Sequence, residues 1–195
     1  MSSIHLSPVP RPIAIFDQYI AKQTETLALT EKISLSGDNF DVKLASGQPI
    51  LRIEGKIMTV SGRKSVYDLQ GSHLFDIVKE HLHLHTTFAV VDHKGTKLLE
   101  VKSTFSLFGS KATATFTSPR TGRTEILKMN GNWLDSVEIV HESTGVVVAR
   151  IDRKLFRGRD LFFGQQTYAV LVAPGVDMAL IAAMCICFDE KNNEK

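Results

Sequence analysis

Between Val176 and Phe188 the chain carries one charged side chain, Asp177, among residues that are otherwise apolar on every side. A helix with no polar face has to be buried, either in protein or in lipid. Pro174 and Gly175 end the preceding segment, Asp177 suits the positive end of a helix, and Asp189-Glu190-Lys191 return the chain to water. As a helix, Val176 to Glu190 rises roughly 22 Å, short of the roughly 30 Å of a bilayer core. Joined to the run before it, Tyr168 to Phe188 could span, but Pro174, Gly175 and Asp177 would then lie in mid-membrane at high cost. The expectation is no transmembrane segment, and a helix enclosed by the rest of the chain.

That remainder reads as strand. Short β-branched or aromatic runs fall at Leu27 to Leu35, Phe40 to Leu44, Ile50 to Val60, Ser65 to Leu69, Leu74 to His83 and Phe88 to Asp92. They continue at Lys97 to Ser103, Ala112 to Thr117, Thr124 to Met129, Ser136 to His141, Val146 to Asp152 and Thr167 to Val172. Between them stand turn dipeptides and tripeptides such as Ser46-Gly47, Gln70-Gly71, Lys94-Gly95, Thr121-Gly122, Asn130-Gly131-Asn132 and Thr144-Gly145. No amphipathic helix of 10 to 15 residues interrupts the runs, which argues against a parallel α/β sheet. Alternation is partial in places: Val137 and Ile139 oppose Glu138, but Val140 breaks the pattern.

About eight strands leave room only for side chains, whereas eleven enclose a helix. A seven-residue strand rises about 23 Å, which matches the helix. The expected fold class is therefore mainly β: a closed antiparallel twelve-stranded β-barrel enclosing a central hydrophobic C-terminal α-helix. Val176, Leu180, Ile181, Met184, Ile186 and Phe188 form the structural core of that helix. Residues 1–25, with Pro8, Pro10 and Pro12 and a short apolar patch at Ile13 to Phe16, read as a surface-lying arm. Residues 26–195 read as one barrel domain.

Composition narrows the function classes. With 195 residues, 43% apolar and 23% charged, the chain suits one globular domain that buries roughly 70% of its unfolded surface. A net charge of +2 is too mild to announce nucleic acid as a partner. Cys185 and Cys187 lie two apart, the wrong spacing for a CxxC redox or zinc pair, and read as small buried hydrophobes. The N-terminus lacks the basic start and apolar region of a secretory signal, which points to the cytoplasm.

Three constellations are candidates for function. The sharpest is Arg150 to Phe163, where Arg150, Arg153, Lys154, Arg157 and Arg159 alternate with apolar residues including Phe156 and Phe162. Cations meet anionic head groups while aromatics enter the interface, each basic residue contributing about 1 kcal/mol, so this stretch suits peripheral contact with phospholipid. The bland reading is a hairpin loop whose phenylalanines tuck under the barrel mouth. A second basic patch is Arg52, Lys56, Arg63 and Lys64, of which Arg52 and Lys56 share a strand face that Glu54 dilutes; a solvated outer wall is the plainer reading. His81, His83 and His85 alternate, so they form one row that could ligate zinc or copper, or simply face outward while Leu82 and Leu84 face the core. No GxSxG, HExxH, P-loop or GxGxxG motif is present.

The stretch Ala173 to Met184 (APGVDMALIAAM), with Phe188-Asp189-Glu190, resembles the C-terminus of the LURP-one-related family, a branch of the tubby C-terminal-like superfamily that also holds the phospholipid scramblases. Gly37 to Arg52 is similar to that family's opening hairpin, Leu74 to Val91 to its central hairpin, with His85 at the usual histidine and Phe88 where tryptophan is common. Gly158 to Phe162 resembles the lead into the last strand. The resemblance implies the same twelve-stranded barrel around a hydrophobic helix. It also implies a role among phosphoinositide-binding, membrane-associated or plant-defence proteins. These readings favour a non-enzymatic binding module without cofactor, touching anionic phospholipid or an unidentified protein. The alternatives are a small-molecule-binding or enzymatic barrel with a mouth pocket, and a membrane-inserted scramblase.

Overall fold

A computed structural model describes residues 5–32, 39–55, 62–80, 86–104, 110–132, 136–152 and 167–193. Twelve strands form a closed antiparallel barrel in which each strand pairs with the next in sequence. They are β1 (Glu25–Lys32), β2 (Asn39–Leu44), β3 (Pro49–Gly55), β4 (Lys64–Tyr67), β5 (His73–Glu80) and β6 (Thr87–Val91). The others are β7 (Lys97–Thr104), β8 (Ser110–Thr117), β9 (Thr124–Asn132), β10 (Ser136–His141), β11 (Val147–Asp152) and β12 (Thr167–Val172). Closure joins β1 to β12, from Glu25 opposite Val172 to Thr30 opposite Thr167. The pleat puts Leu27 and Leu29 of β1, Phe40 and Val42 of β2, Phe75 and Ile77 of β5, and Tyr168 and Val170 of β12 in the core.

Through the middle runs α1 (Met178–Asn193). Every residue from Ala179 to Phe188 is at most 2% exposed, including Leu180, Ile181, Met184 and Ile186. The expected enclosure is what the coordinates show. Its start lies two residues later than the sequence suggested: Val176 is buried in the preceding turn, and Asp177 is the N-cap, its Oδ1 accepting from the N–H groups of Ala179 (2.8 Å) and Leu180 (3.2 Å).

Two local expectations change. Val140 does not break the alternation, because burial along β10 alternates strictly and Val140 is half-exposed while His141 takes the inward place. Asn130-Gly131-Asn132 is not a turn, since β9 runs through it and Gly131 pairs with both Ser110 and Val137. A Cβ on Gly131 would stand 2.4 Å from the Ser136 carbonyl oxygen and 2.8 Å from Val137 Cα, so the glycine answers a close approach of β10.

Residues 5–24 lie mostly exposed or half-buried at the surface, but they are tied down there. Ile13, Ala14 and Ala21 are buried, a single 3-10 turn spans Asp17–Tyr19, and Phe16 stacks on Phe75 with centroids 5.3 Å apart. The segment flanks the link between β12 and α1 on both sides. On one side Val9 N–H donates to the Pro174 carbonyl, Ile13 N–H to Gly175, and Asp177 N–H to Ile13; on the other Ala21 N–H donates to Val176 and Gly175 N–H to Ala21. Gly175 (φ +90°) is packed so closely that a Cβ there would lie 2.6 Å from Val9 Cγ2. A segment with this many backbone donors and acceptors inside cannot lie free on the surface.

Candidate functional site

Strand direction alternates, so the connections fall into two sets. At the end where α1 begins, the links are short glycine-bearing turns: 45–48, 68–72, 92–96, 118–123 and 142–146, joined there by residues 5–24. At the opposite end, where α1 finishes, the links join Lys32 to Asn39, Gly55 to Lys64, Glu80 to Thr87, Thr104 to Ser110, Asn132 to Ser136 and Asp152 to Thr167. Most of the sequence candidates belong to this second set by chain connectivity. Lys56, His81, His83, His85, Arg153, Lys154, Phe156, Arg157, Arg159 and Phe162 themselves lie outside the described residues.

The described members of the basic patches are spread over two sides of the wall. Arg52 faces outward over the Tyr67 ring (5.6 Å) with its Nε 3.2 Å from Glu54 Oε1. Arg63 donates through Nη1 to Asp76 Oδ2 at 3.0 Å. Lys64 does not share their face. Alternation along β4 places Ser65 outward and Lys64 inward, where it is 5% exposed, 3.0 Å from Glu190 Oε1 and 5.5 Å above the Phe40 ring. It therefore meets the last turns of α1 instead of the solvent. Arg150, on β11, is paired with Glu138 directly opposite on β10.

Two polar clusters escaped the sequence reading. On the outer wall Asp76 Oδ1 accepts from Ser65 Oγ (2.7 Å) and contacts His73 Nε2 (3.0 Å). Burial pushes the Asp76 carboxyl up, but the bonds from His73 and Ser65 and the charges of His73 and Arg63 outweigh it and hold the group below the ordinary range. Near the turn end, buried Glu125 and His141 meet at 2.7 Å through Oε2 and Nε2, with Thr144 Oγ1 2.9 Å from Nδ1 and Arg11 Nη2 3.7 Å from Glu125 Oε1. Ser143 Oγ stands 3.5 Å from that same Nε2. Both ring nitrogens are thus partnered, Nε2 by Glu125 and Nδ1 by Thr144, whose hydroxyl also accepts from the Val146 N–H of its own turn, which is the arrangement of a satisfied buried histidine. Glu125 and His141 are strands apart in sequence, and nothing local announces their meeting.

Cys185 and Cys187 are fully buried, and desolvation pushes both thiols far above their ordinary range, so neither is a nucleophile. No described helix is long and apolar enough to cross a membrane. Among the described residues Leu69 is the one large apolar side chain exposed.

Comparison with known proteins gives one family. The model of the LURP-one-related family matches residues 25–189, which begins at the first residue of β1 and ends in the last turns of α1. Protein LURP-one-related 15 of Arabidopsis thaliana is 20% identical over 197 aligned residues, covering 96% of this chain and 90% of that protein. An X-ray structure of a protein from Arabidopsis thaliana superposes with a TM-score of 0.67 at 19% identity, covering 93% of this chain and 99% of that one. That likeness speaks for the fold: a single sheet closed on itself. Residues 5–24 stand before the matched region.

Proposed function

This chain belongs to the LURP-one-related family, and from that premise we propose that it is a non-enzymatic binding module making peripheral contact with anionic phospholipid through the link between β11 and β12. One observation carries the reading. Residues 153–166 hold Arg153, Lys154, Arg157 and Arg159 against Asp160 alone, a net of +3, more than the +2 of the whole chain, so everything else sums to −1. Leu155, Phe156, Leu161, Phe162 and Phe163 are interleaved with those cations. The wall, by contrast, neutralises itself through pairs such as Lys32 with Asp41, Arg52 with Glu54, Lys102 with Glu100 and Arg150 with Glu138. A surface of anionic head groups is attracted where cations are in excess, and apolar side chains beside them fit the interface. On this reading the protein works in the cytoplasm, at a membrane surface.

Sedimentation of the full chain with vesicles, neutral or containing phosphatidylserine or phosphoinositide, tests this. At about 1 kcal/mol per basic residue, changing Arg153, Lys154, Arg157 and Arg159 together to Gln weakens binding to anionic vesicles by up to about a thousandfold. Absence of binding, or binding indifferent to those four changes, sinks the lipid reading and leaves a protein partner.

A further inference from the structure

Resting on the phospholipid reading above, we infer that the barrel meets the membrane end-on: the six links at the end where α1 finishes enter the interface together, and the strand cylinder stands upright on the bilayer. The two ends of the barrel differ sharply in composition. The links 33–38, 56–63, 81–86, 105–109, 133–135 and 153–166 carry seventeen Ile, Leu, Val, Met, Phe or Trp side chains. The five turns at the opposite end, 45–48, 68–72, 92–96, 118–123 and 142–146, carry two, Leu69 and Val146. Aromatic residues divide the same way, with Phe105, Phe108 and the single tryptophan, Trp133, joining Phe156, Phe162 and Phe163 at the first end and none in the turns. Apart from residues 62, 63 and 86 these links lie outside the described residues, and the strand ends that flank them fix the end to which they belong.

Charge follows the same division. With His neutral, the six links sum to +3 and the five turns to zero. Cations hold anionic head groups, apolar side chains bind in proportion to the area they bury, and Trp is favoured at head-group depth. All three coincide at one end of one cylinder, so six links can reach a single plane together.

The rest of the surface is engaged otherwise. The turns close on themselves, Gly47 N–H donating to the Leu44 carbonyl (2.8 Å), Gly95 to Asp92 (3.0 Å), Gly122 to Ser118 (2.8 Å) and Gly145 to His141 (2.9 Å). At that end residues 5–21 form a strap across the start of α1: while Asp177 Oδ1 caps the helix, Oδ2 accepts the strap N–H groups of Ile15 (3.1 Å) and Phe16 (2.8 Å). The wall carries ion pairs such as Lys97 with Glu80, Lys102 with Glu100 and Lys128 with Glu142. A barrel lying on its side would strip water from such pairs, whereas an upright one leaves them hydrated.

Trp133 reads the orientation in the unaltered protein. The full chain is sedimented with vesicles of phosphatidylcholine and phosphatidylserine, and the tryptophan emission of the bound fraction is compared between ordinary acyl chains and chains brominated near the head group. Loss of Trp133 emission in the brominated vesicles is expected. A second reporter, Leu69→Trp with Trp133→Phe, moves the indole to the turn end, where Leu69 is 53% exposed, and its emission is expected to be the same in both vesicles. Phe105→Ser with Phe108→Ser weakens binding by about tenfold. Should these variants fail to fold, Trp133 alone decides. Vesicle-bound protein whose Trp133 is not quenched, or equal quenching of both reporters, overturns end-on contact and leaves the phospholipid reading standing; no sedimentation with any vesicle sinks both.

Discussion

Asp177 does the work of two residues. A helix N-cap needs only one oxygen, and the second oxygen is free to serve another element only because the strap is brought to it from the far end of the chain. Asp177→Ala therefore loses a cap worth about 1 kcal/mol and also strands two buried strap N–H groups at about 1–3 kcal/mol each. A total loss of about 3–7 kcal/mol is expected from urea unfolding, well above that of a capping residue at a solvent-exposed helix end. Gly131 makes the opposite kind of demand, for absence of a side chain. Gly131→Ala forces β9 and β10 apart where the Ser136 carbonyl stands 2.4 Å from the new Cβ, at a cost of about 1–3 kcal/mol in thermal unfolding. The sequence marks both residues, but as a helix start and a turn glycine; their second roles depend on neighbours that local pattern does not name.

At the scale of elements, α1 differs from a surface helix because it has no tolerant side. An amphipathic helix shows damage at every third or fourth position, whereas α1 is enclosed all round. Leu180→Ala, Ile181→Ala, Met184→Ala and Ile186→Ala are each expected to cost about 2–5 kcal/mol, with no helical periodicity in a scan of denaturation midpoints. Ala182→Leu and Ala183→Leu overpack the same space at about 1–3 kcal/mol. The strands show how far local pattern reaches. Ser136–His141 and Thr167–Val172 have the limits that alternation and turn residues suggest, and the other strands differ from the sequence reading mainly at their ends. The strap shows where it stops. Three prolines in a polar stretch look like an arm, and only its hydrogen bonds to residues 174–177 make it a closing element. Lys64 is a similar case: a lysine beside Arg63 suggests one basic face, but the pleat of β4 sends the two to opposite sides.

At the scale of the whole molecule, barrel and helix need each other. A twelve-stranded cylinder lined with Leu27, Phe40, Phe75, Met129 and Tyr168 would expose that lining to water if α1 were missing. A chain ending at Val172 is expected to give no dispersed methyl NMR spectrum of a native barrel. The outer wall carries the acid limb of stability. Asp76, held below its ordinary value of 3.8, contributes stability that is complete above that value and is lost as pH falls through its folded pKa. The gap in melting temperature between the unaltered protein and Asp76→Asn should therefore close on acidification below about pH 4. The sequence by itself determined the fold class, the count and approximate limits of the strands, and the burial of the last helix, because those follow from periodicity and from the cost of leaving apolar residues in water. Only the tertiary structure decided that residues 9–21 bond the link between β12 and α1, that Lys64 turns inward to Glu190, and that Arg11, Glu125 and His141 converge. Those outcomes depend on strand register and on contacts between residues up to 162 positions apart, and an electrostatic partner that distant leaves no trace in its neighbours along the chain.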